Sequence, residues 1–487
     1  MKAKELISAL DKPITARGFE DFEVKGISCN SKEISDGFIF VAIEGTRLDG
    51  RQFIEEAIEK GAKAIIVTRH KSQDTSKRAA FIQVKDARGA LARLAAGFYG
   101  YPSSKIKVAG ITGTNGKTTI TYLLEALLKS SGFKPAVIGT INYRLKNKIL
   151  PSRNTTPGAV ELQSFLKEMV KSKLTHAIME VSSHALSQDR TADIDFHSAI
   201  FTNLTQDHLD YHRTFADYFL AKSKLFKSLG RDAFAVINID DKYGRRLKGM
   251  VKGRRVITYA IENDADVRAG DIELGILGTE FDLKLLKENI RLKTRLIGRH
   301  NVYNVLAACA WALGERLPRE ALESVFEKFY SVPGRLERIR CDKGFSVFVD
   351  YAHTDDALTN VISSLRQVSE GRIIVVFGCG GERDKGKRPK MGRAASELAD
   401  RVIITSDNPR SEDPEEIING VIKGIKKDNY RVIFDREKAI RESLFLAKKG
   451  DIVLIAGKGH ENYQVLKGKT VYFNDSKVAR ECLRSMN

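Results

Sequence analysis

The stretch Gly110-Ile111-Thr112-Gly113-Thr114-Asn115-Gly116-Lys117-Thr118-Thr119 gathers the residue types that hold a polyphosphate. Glycines let backbone N–H groups converge on one point, and the start of a following helix adds its partial positive charge. Lys117 supplies a full charge, and the Thr118 hydroxyl can reach Mg²⁺. An apolar run from Ile106 to Ile111 precedes the loop, while Ile120, Leu123, Leu124, Leu127 and Leu128 follow at helical spacing. Strand, loop and helix in that order suit a nucleoside triphosphate. The loop is one residue off the common pattern, because Ile111 stands where a glycine is usual, five residues before Gly116.

Other candidate groups sit where apolar runs end in polar residues. Ala177-Ile178-Met179 leads into Glu180-Val181-Ser182-Ser183-His184; Ala199-Ile200-Phe201 leads into Thr202-Asn203, with Asp207-His208 beyond; Ala235-Val236-Ile237 ends in Asn238. Parallel α/β sheets bind ligands at the carboxyl ends of their strands, so these tips are expected to converge on the nucleotide. Glu180, a hard oxygen donor, and His208 are then candidate Mg²⁺ ligands, the imidazole being the less typical one. Asn301 and Asn304 precede an alanine-rich helix over Val305 to Leu313, either as amides offered to a ligand or as plain caps. Further on, Gly378-Cys379-Gly380-Gly381-Glu382-Arg383-Asp384, Ser406-Asp407-Asn408-Pro409-Arg410 and Gly457-Lys458-Gly459-His460-Glu461 each follow a strand-like run. The first has Arg383 where a dinucleotide fingerprint has its third glycine, which points to carboxylate recognition. With Arg410, Asp407 and Glu461 at neighbouring tips, the pocket offers both signs of charge, as an amino acid with its own ammonium and carboxylates requires.

The elements that must position these groups read as three α/β domains. Residues 1–104 hold a strand at Phe38–Ile43, a short helix at Gln52–Glu59 and a strand at Ala64–Val67, with a link at Pro102-Ser103-Ser104. Residues 105–333 carry the phosphate loop on a parallel sheet. Val332-Pro333-Gly334-Arg335 leads into residues 334–487, where runs at Phe345–Val349, Ile373–Phe377, Val402–Thr405, Val432–Phe434 and Ile452–Ala456 alternate with helical stretches, the pattern of a doubly wound, Rossmann-like sheet.

At 487 residues, 42% hydrophobic and 29% charged, the chain is of globular type, and no apolar run approaches the ~20 residues of a membrane span. Five scattered cysteines without metal-ligand spacing are expected as reduced thiols in a cytoplasmic protein. The formal charge of +19 raises nucleic acid, anionic membrane surface or phosphorylated small molecules as partners. Its spread along the chain, with no aromatic interleaving, disfavours nucleic acid.

Together the motifs resemble the ATP-dependent Mur ligases of peptidoglycan synthesis. The resemblance covers nearly the whole chain: Gly113–Thr119, Asn154-Thr155-Thr156-Pro157, Glu180–Leu186 with Gln188 and Arg190, Asp207–His212, Ala221-Lys222, His300-Asn301 with Asn304, Asp350-Tyr351-Ala352-His353 and the three C-terminal tips. That family's shorter phosphate loop accounts for Ile111. By this likeness Gly113, Thr114, Asn115, Gly116, Lys117, Thr118 and Thr119 cradle ATP, with Asn301, Asn304, Arg335 and Asp350 completing its site. Thr118, Glu180 and His208 hold Mg²⁺, and Lys222 matches a lysine carbamylated in the family. Lys117, Lys222 and His353 are the expected catalytic groups. A UDP-linked muramoyl dipeptide, UDP-MurNAc-L-Ala-D-Glu, would meet Cys29, Ser31 and Thr46-Arg47-Leu48 at its uridine end and Asn154, Thr155, Thr156, Ser182, Gln188 and Arg190 at its sugar and peptide.

Asp407-Asn408-Pro409-Arg410 looks like the motif of members that add meso-diaminopimelate, whose extra carboxylate Arg410 and Arg383 could bind; Gly457 and Glu461 complete that group. The implied partners are thus three small molecules, with a monomer expected and no membrane insertion. An L-lysine-adding ligase, a folylpolyglutamate synthetase and a nucleic-acid-dependent ATPase are the alternatives. Lys32, Asp355 and Asn474 depart from the family's usual arginine, proline and aspartate.

Overall fold

The structure, a computed structural model, describes all residues except 12, 16–18, 46–47, 70–77, 287 and 487, and leaves out the side chains of 14, 15, 209 and 210. The chain divides into two compact units, Met1–Tyr259 with Ala310–Leu317, and Ala260–Cys309 with Pro318–Asn487.

The first unit begins with a five-stranded sheet in the order Ile14–Thr15, Ala80–Gln83, Ala62–Val67, Phe38–Val41, Gly26–Ser28, parallel except at the first pair. Side-chain alternation divides its apolar residues between two cores. Ile39, Val41, Ile66 and Ile82 pack with Leu91 and Leu94 of the Ala87–Phe98 helix, whereas Phe40, Ile65 and Phe81 pack with Ala57 and Ile58. The short helix expected at Gln52–Glu59 is a 3₁₀ turn, Gly50–Phe53, capped by Asp49, running into an α-helix at Ile54–Glu59. The Pro102–Ser104 link is no loose connector: Pro102 and Ser103 are buried in a 3₁₀ turn, and Ser103 Oγ accepts from Asp195 N.

The phosphate loop stands on a parallel sheet ordered Arg255–Ala260, Phe234–Asn238, Phe196–Phe201, Lys107–Thr112, His176–Glu180, Pro135–Ile138, continued by the antiparallel pair Asn142–Leu145 and Lys148–Pro151. All five residues of His176–Glu180 are buried, as expected of a strand covered on both faces. Lys107–Thr112 lies between strands reached in opposite directions, the switch point where such sheets open a ligand crevice.

The second unit carries an antiparallel meander, Val267–Gly275, Gly278–Leu285 and Glu288–Thr294. Its six-stranded sheet runs Glu337–Ile339, Ser346–Asp350, Ile452–Ala456, Ile373–Phe377, Arg401–Ile404, Tyr430–Val432, parallel after the first pair. Leu358, Ile362, Met391, Ala395 and Ile418 cover one face; Ala439, Ile440, Leu444, Ala479 and Cys482 cover the other. This sheet starts just past the Val332–Arg335 turn, while the division into compact units falls earlier, at Tyr259. The strand expected at Val432–Phe434 ends at Val432 because Asp435 accepts from Lys438 N and caps the next helix. Asp355, in the family's proline position, opens the Asp355–Arg366 helix, where a negative charge is as well suited as a proline. Asn474 caps the last helix by accepting from Lys477 N.

Candidate functional site

Two glycines shape the phosphate loop. Gly113 has φ +148°, and a methyl there would sit 1.8 Å from Thr202 Oγ1; Gly116, at φ +90°, hands the chain into the Lys117–Ser130 helix. The tip of Phe196–Phe201 holds the loop, with Thr202 Oγ1 donating to Asn115 O (2.6 Å), Thr114 N to Asn203 O (2.8 Å) and Asn115 N to Asn203 Oδ1 (3.0 Å). Lys117 Nζ donates across the loop to Gly113 O (2.9 Å) and Thr114 O (2.8 Å). Thr118 and Thr119 are buried in the first helical turn.

Lys222 Nζ reaches the same Gly113 carbonyl at 2.8 Å, with its ammonium 4.5 Å from the Tyr218 ring centre. The side chain is 2% exposed. Burial, helped by the Lys117 charge and opposed by Asp207, pulls its pKa well below the ordinary lysine value. Glu180, fully buried, takes Thr118 Oγ1 on Oε2 (3.0 Å), Thr140 Oγ1 on Oε2 (2.9 Å) and Thr140 N on Oε1 (2.9 Å). Gly139 leaves room for that carboxylate, since a methyl there would lie 2.6 Å from Oε1. His208 is exposed at φ +52°, its Nε2 3.5 Å from Asp207 Oδ2 and its ring 4.7 Å from that of His184.

The Asn154–Thr156 segment is tied to this centre. Thr156 Oγ1 donates to Glu180 O (2.8 Å) and accepts from Ser182 N (3.0 Å); the Thr155 and Thr140 hydroxyls are 3.1 Å apart; Asn154 meets the Tyr143 hydroxyl through both backbone groups. Arg190 grips Gln188 Oε1 through Nε (3.0 Å) and Nη2 (2.7 Å) and donates to Thr156 O (3.0 Å). Cys29 shows surface to solvent, yet the protein around it desolvates the thiol and raises its pKa, with Arg190 opposing the rise, so residues 29 and 190 are in electrostatic reach. Ser31 is buried and donates to Glu56 Oε2 (2.6 Å), while Leu48 is exposed. Thr46 and Arg47 lie outside the described residues.

In the second unit the helix near Asn301 is longer than the spacing suggested, Arg299–Glu315, so both asparagines lie within it. Asn301 Nδ2 donates to Ile297 O and Asn304 Nδ2 to Asn301 Oδ1, each at 2.9 Å. Asp350 ends its strand buried, accepting from Leu336 N (2.7 Å) and Ala352 N (2.8 Å); burial raises its pKa, while the Arg335 charge and those two bonds oppose the rise. Arg335 lies over the Tyr351 ring at 5.0 Å, and His353 Nδ1 donates to Tyr351 O (2.8 Å). Desolvation lowers the pKa of His353.

The first two C-terminal tips meet backbone to backbone, and the third meets the Asp407 side chain. A methyl on Gly378 would lie 2.2 Å from Thr405 O, on Gly381 2.0 Å from Pro409 O, and on Gly457 2.9 Å from Asp407 Oδ2. A methyl on Gly380 would lie 3.1 Å from Arg410 Nη1 and 3.7 Å from Arg383 Cγ, so the two arginines flank one glycine. Arg383 is exposed; Arg410 donates to Gly381 O (2.5 Å). Asn408 Nδ2 donates to Glu461 Oε2 (3.0 Å). Among the described residues, the charges of Arg383, Arg410, Asp407 and Glu461 all reach Tyr463, so the tips bring both signs of charge into one neighbourhood. Sequence reasoning passed over Thr140, which follows Pro135–Ile138 as another strand tip, and Lys458, which is fully buried between those acids.

A phosphate loop on one parallel sheet, and a second parallel sheet whose tips carry mixed charge, define an α/β protein of the nucleotide-binding class. Family models match in three successive parts: the Mur ligase family catalytic domain over residues 23–99, the Mur ligase middle domain over 111–312 and the Mur ligase glutamate ligase domain over 334–459. The chain belongs to the Mur ligase family. Among its relatives, UDP-N-acetylmuramoyl-L-alanyl-D-glutamate--2,6-diaminopimelate ligase 1 of Clostridium acetobutylicum is 43% identical over 490 residues, spanning 100% of each chain. The corresponding 2,6-diaminopimelate ligase of Aquifex aeolicus is 44% identical over 468 residues, 94% of each chain. A solved structure of a UDP-N-acetylmuramoyl-L-alanyl-D-glutamate--2,6-diaminopimelate ligase superposes with a TM-score of 0.70 at 34% identity, covering 95% of both chains.

Proposed function

We propose that this chain is an ATP-dependent ligase joining meso-diaminopimelate to the D-glutamate of UDP-MurNAc-L-Ala-D-Glu in peptidoglycan precursor synthesis. The observation that carries the reading is the pair Arg383 and Arg410, both beside Gly380, whose charges act on Tyr463 together with those of Asp407 and Glu461. At the end remote from the reacting amine, diaminopimelate has a carboxylate for the guanidiniums and an ammonium for the acids; lysine has only the ammonium there. Relatives matching from end to end, N-terminal domain included, favour it over a folylpolyglutamate synthetase or a nucleic-acid-dependent ATPase.

In this reading residues 1–104 take the uridine end, 105–333 the nucleotide triphosphate and 334–487 the amino acid. The D-glutamate carboxylate attacks the γ-phosphorus of ATP, ADP leaves, and an acyl phosphate forms. The amine then attacks the acyl carbon, the carbon–oxygen bond to phosphate breaks, and the nitrogen loses a proton. Lys117 exchanges its loop carbonyls for phosphate oxygens, and catalysis is mostly positioning and charge neutralisation. With Nδ1–H bound to Tyr351 O, neutral His353 keeps Nε2 as a proton acceptor. The adjacent oxygens of Thr118 and Glu180, 3.0 Å apart, are hard donors of the kind Mg²⁺ takes, and His208 is its third proposed ligand. Bound Mg²⁺ would offset phosphate charge. A neutral, buried Lys222 amine is the form that adds CO₂, and carbamylation would turn it into a carboxylate. ATP dependence and five cysteines free of disulfides fit a reaction in the cytoplasm.

The test is turnover of the purified chain with ATP, the UDP-linked dipeptide and either amino acid, followed by phosphate release and the mass of the UDP-linked product. Diaminopimelate is the amino acid incorporated; faster turnover with L-lysine refutes the arginine argument.

A further inference from the structure

Lys458 follows the Ile452–Ala456 strand and has no exposed side-chain surface (0%). Its ammonium donates to Asn408 Oδ1 (3.1 Å) and Glu461 Oε2 (3.1 Å) and lies 3.7 Å from Asp407 Oδ1. Asn408 closes the ring, with Nδ2 donating to Glu461 Oε2 (3.0 Å) and Oδ1 also accepting from Val465 N (3.0 Å). Among the described residues, both hydrogen bonds that reach the Glu461 carboxylate therefore land on Oε2. A buried ammonium is costly unless opposite charge surrounds it, and here two carboxylates do so. The reverse also holds: without Lys458, two acids only 10% and 18% exposed would lose the ammonium that pairs with both, and the charge of the buried Arg436 guanidinium, which also reaches them, would be left to offset them.

We infer that Lys458 is a positioning residue for the amino-acid substrate. It fixes the Glu461 carboxylate through Oε2, so that Oε1 is left for the ammonium at the second amino-acid end of the substrate. Glu461, held in this way, separates a diamine from the corresponding monoamine diacid. The inference rests on the diaminopimelate reading above.

The test uses the full chain in the amine-dependent phosphate-release assay, with meso-diaminopimelate compared against 2-aminopimelate, which lacks one amino group. Lys458→Met keeps the stem and removes the charge. It should raise KM for diaminopimelate by at least ~10-fold and cut the preference over 2-aminopimelate by the same factor. KM for ATP and for the UDP-linked dipeptide should stay within about twofold, since only amino-acid binding is touched. Glu461→Gln should lose the same preference, and Lys458→Met added to it should cost no more. Lys458→Arg, which retains the charge, should fall between. A wild-type preference in Lys458→Met, a parallel rise of all three KM values, or a wild-type preference in Glu461→Gln overturns the inference, the last even where Lys458→Met fails to fold. Wild-type enzyme inactive with diaminopimelate would instead sink the activity reading itself.

Discussion

Replacing Glu315 by Gln should destabilise the phosphate-loop unit. Glu315 ends the Arg299–Glu315 helix with its carboxylate 1% exposed, and it binds the feet of three adjacent strands. His176 Nε2 is 3.2 Å from Oε1, His197 Nε2 is 2.8 Å from Oε2, and Lys107 also pairs with Oε1. Burial opposes ionisation, but the bonds from His176, His197 and Lys107 outweigh it and hold the carboxyl well below the usual glutamate range. Lys107 is 49% exposed, so its share is at most about 0.5 kcal/mol. His176, 2% exposed, loses a charge-assisted bond of about 2 kcal/mol when an amide N–H₂ faces it, and the half-buried His197 adds less. The total is about 3 kcal/mol, a drop of roughly 6–12 °C in the midpoint of a unit this size. Because the folded pKa is depressed, the contribution is complete above the unfolded glutamate value of about 4.3 and is lost as pH falls through the folded one. Thermal unfolding followed by circular dichroism from pH 7 to pH 3 measures this: the gap between wild type and Glu315→Gln should be widest at neutral pH and shrink below about pH 4. Equal midpoints at pH 7, or a gap that widens on acidification, would refute the reasoning.

Three further outcomes follow from the site. Gly113→Ala places a methyl 1.8 Å from Thr202 Oγ1 at φ +148°, so turnover should fall at least ~100-fold while the N-terminal sheet stays folded, measured by phosphate release and circular dichroism. Lys222 should give a carbamate signal on ¹³C-bicarbonate labelling by NMR, absent in Lys222→Met. Arg410→Ala should lower kcat/KM for diaminopimelate by about 30-fold, the value of one charge-assisted bond near 2 kcal/mol, and leave the rate with L-lysine unchanged; an unchanged ratio of the two amino acids would count against Arg410.

The phosphate loop was legible because few residues tolerate its backbone: two glycines at positive φ and a lysine leave little else to be read there. The parallel strands were legible as apolar runs, the mark of burial on both faces. What stayed hidden depended on sheet order. Thr140 is an ordinary threonine until Pro135–Ile138 is laid beside His176–Glu180. Glu315 is an unremarked acid after an alanine-rich helix until residues 107, 176 and 197 are brought to it. Lys458 is one of 81 basic residues, and only burial between Asp407 and Glu461 marks it out. Cap chemistry decided the boundary missed at Val432, where Asp435 sets the next helix.

The side-chain-free junction at Gly378 and Gly381 bears on how this enzyme could be reprogrammed. With no Cβ between the loops, there is nothing at those two points that an engineer can enlarge or recharge without driving the chains apart. A change of accepted amino acid is therefore expected from exchanging what the frame carries, at 383, 410, 458 and 461, while the frame stays fixed. Libraries that randomise the whole region should return parental glycine at 378 and 381 in active clones, with variation falling on the side chains the frame carries.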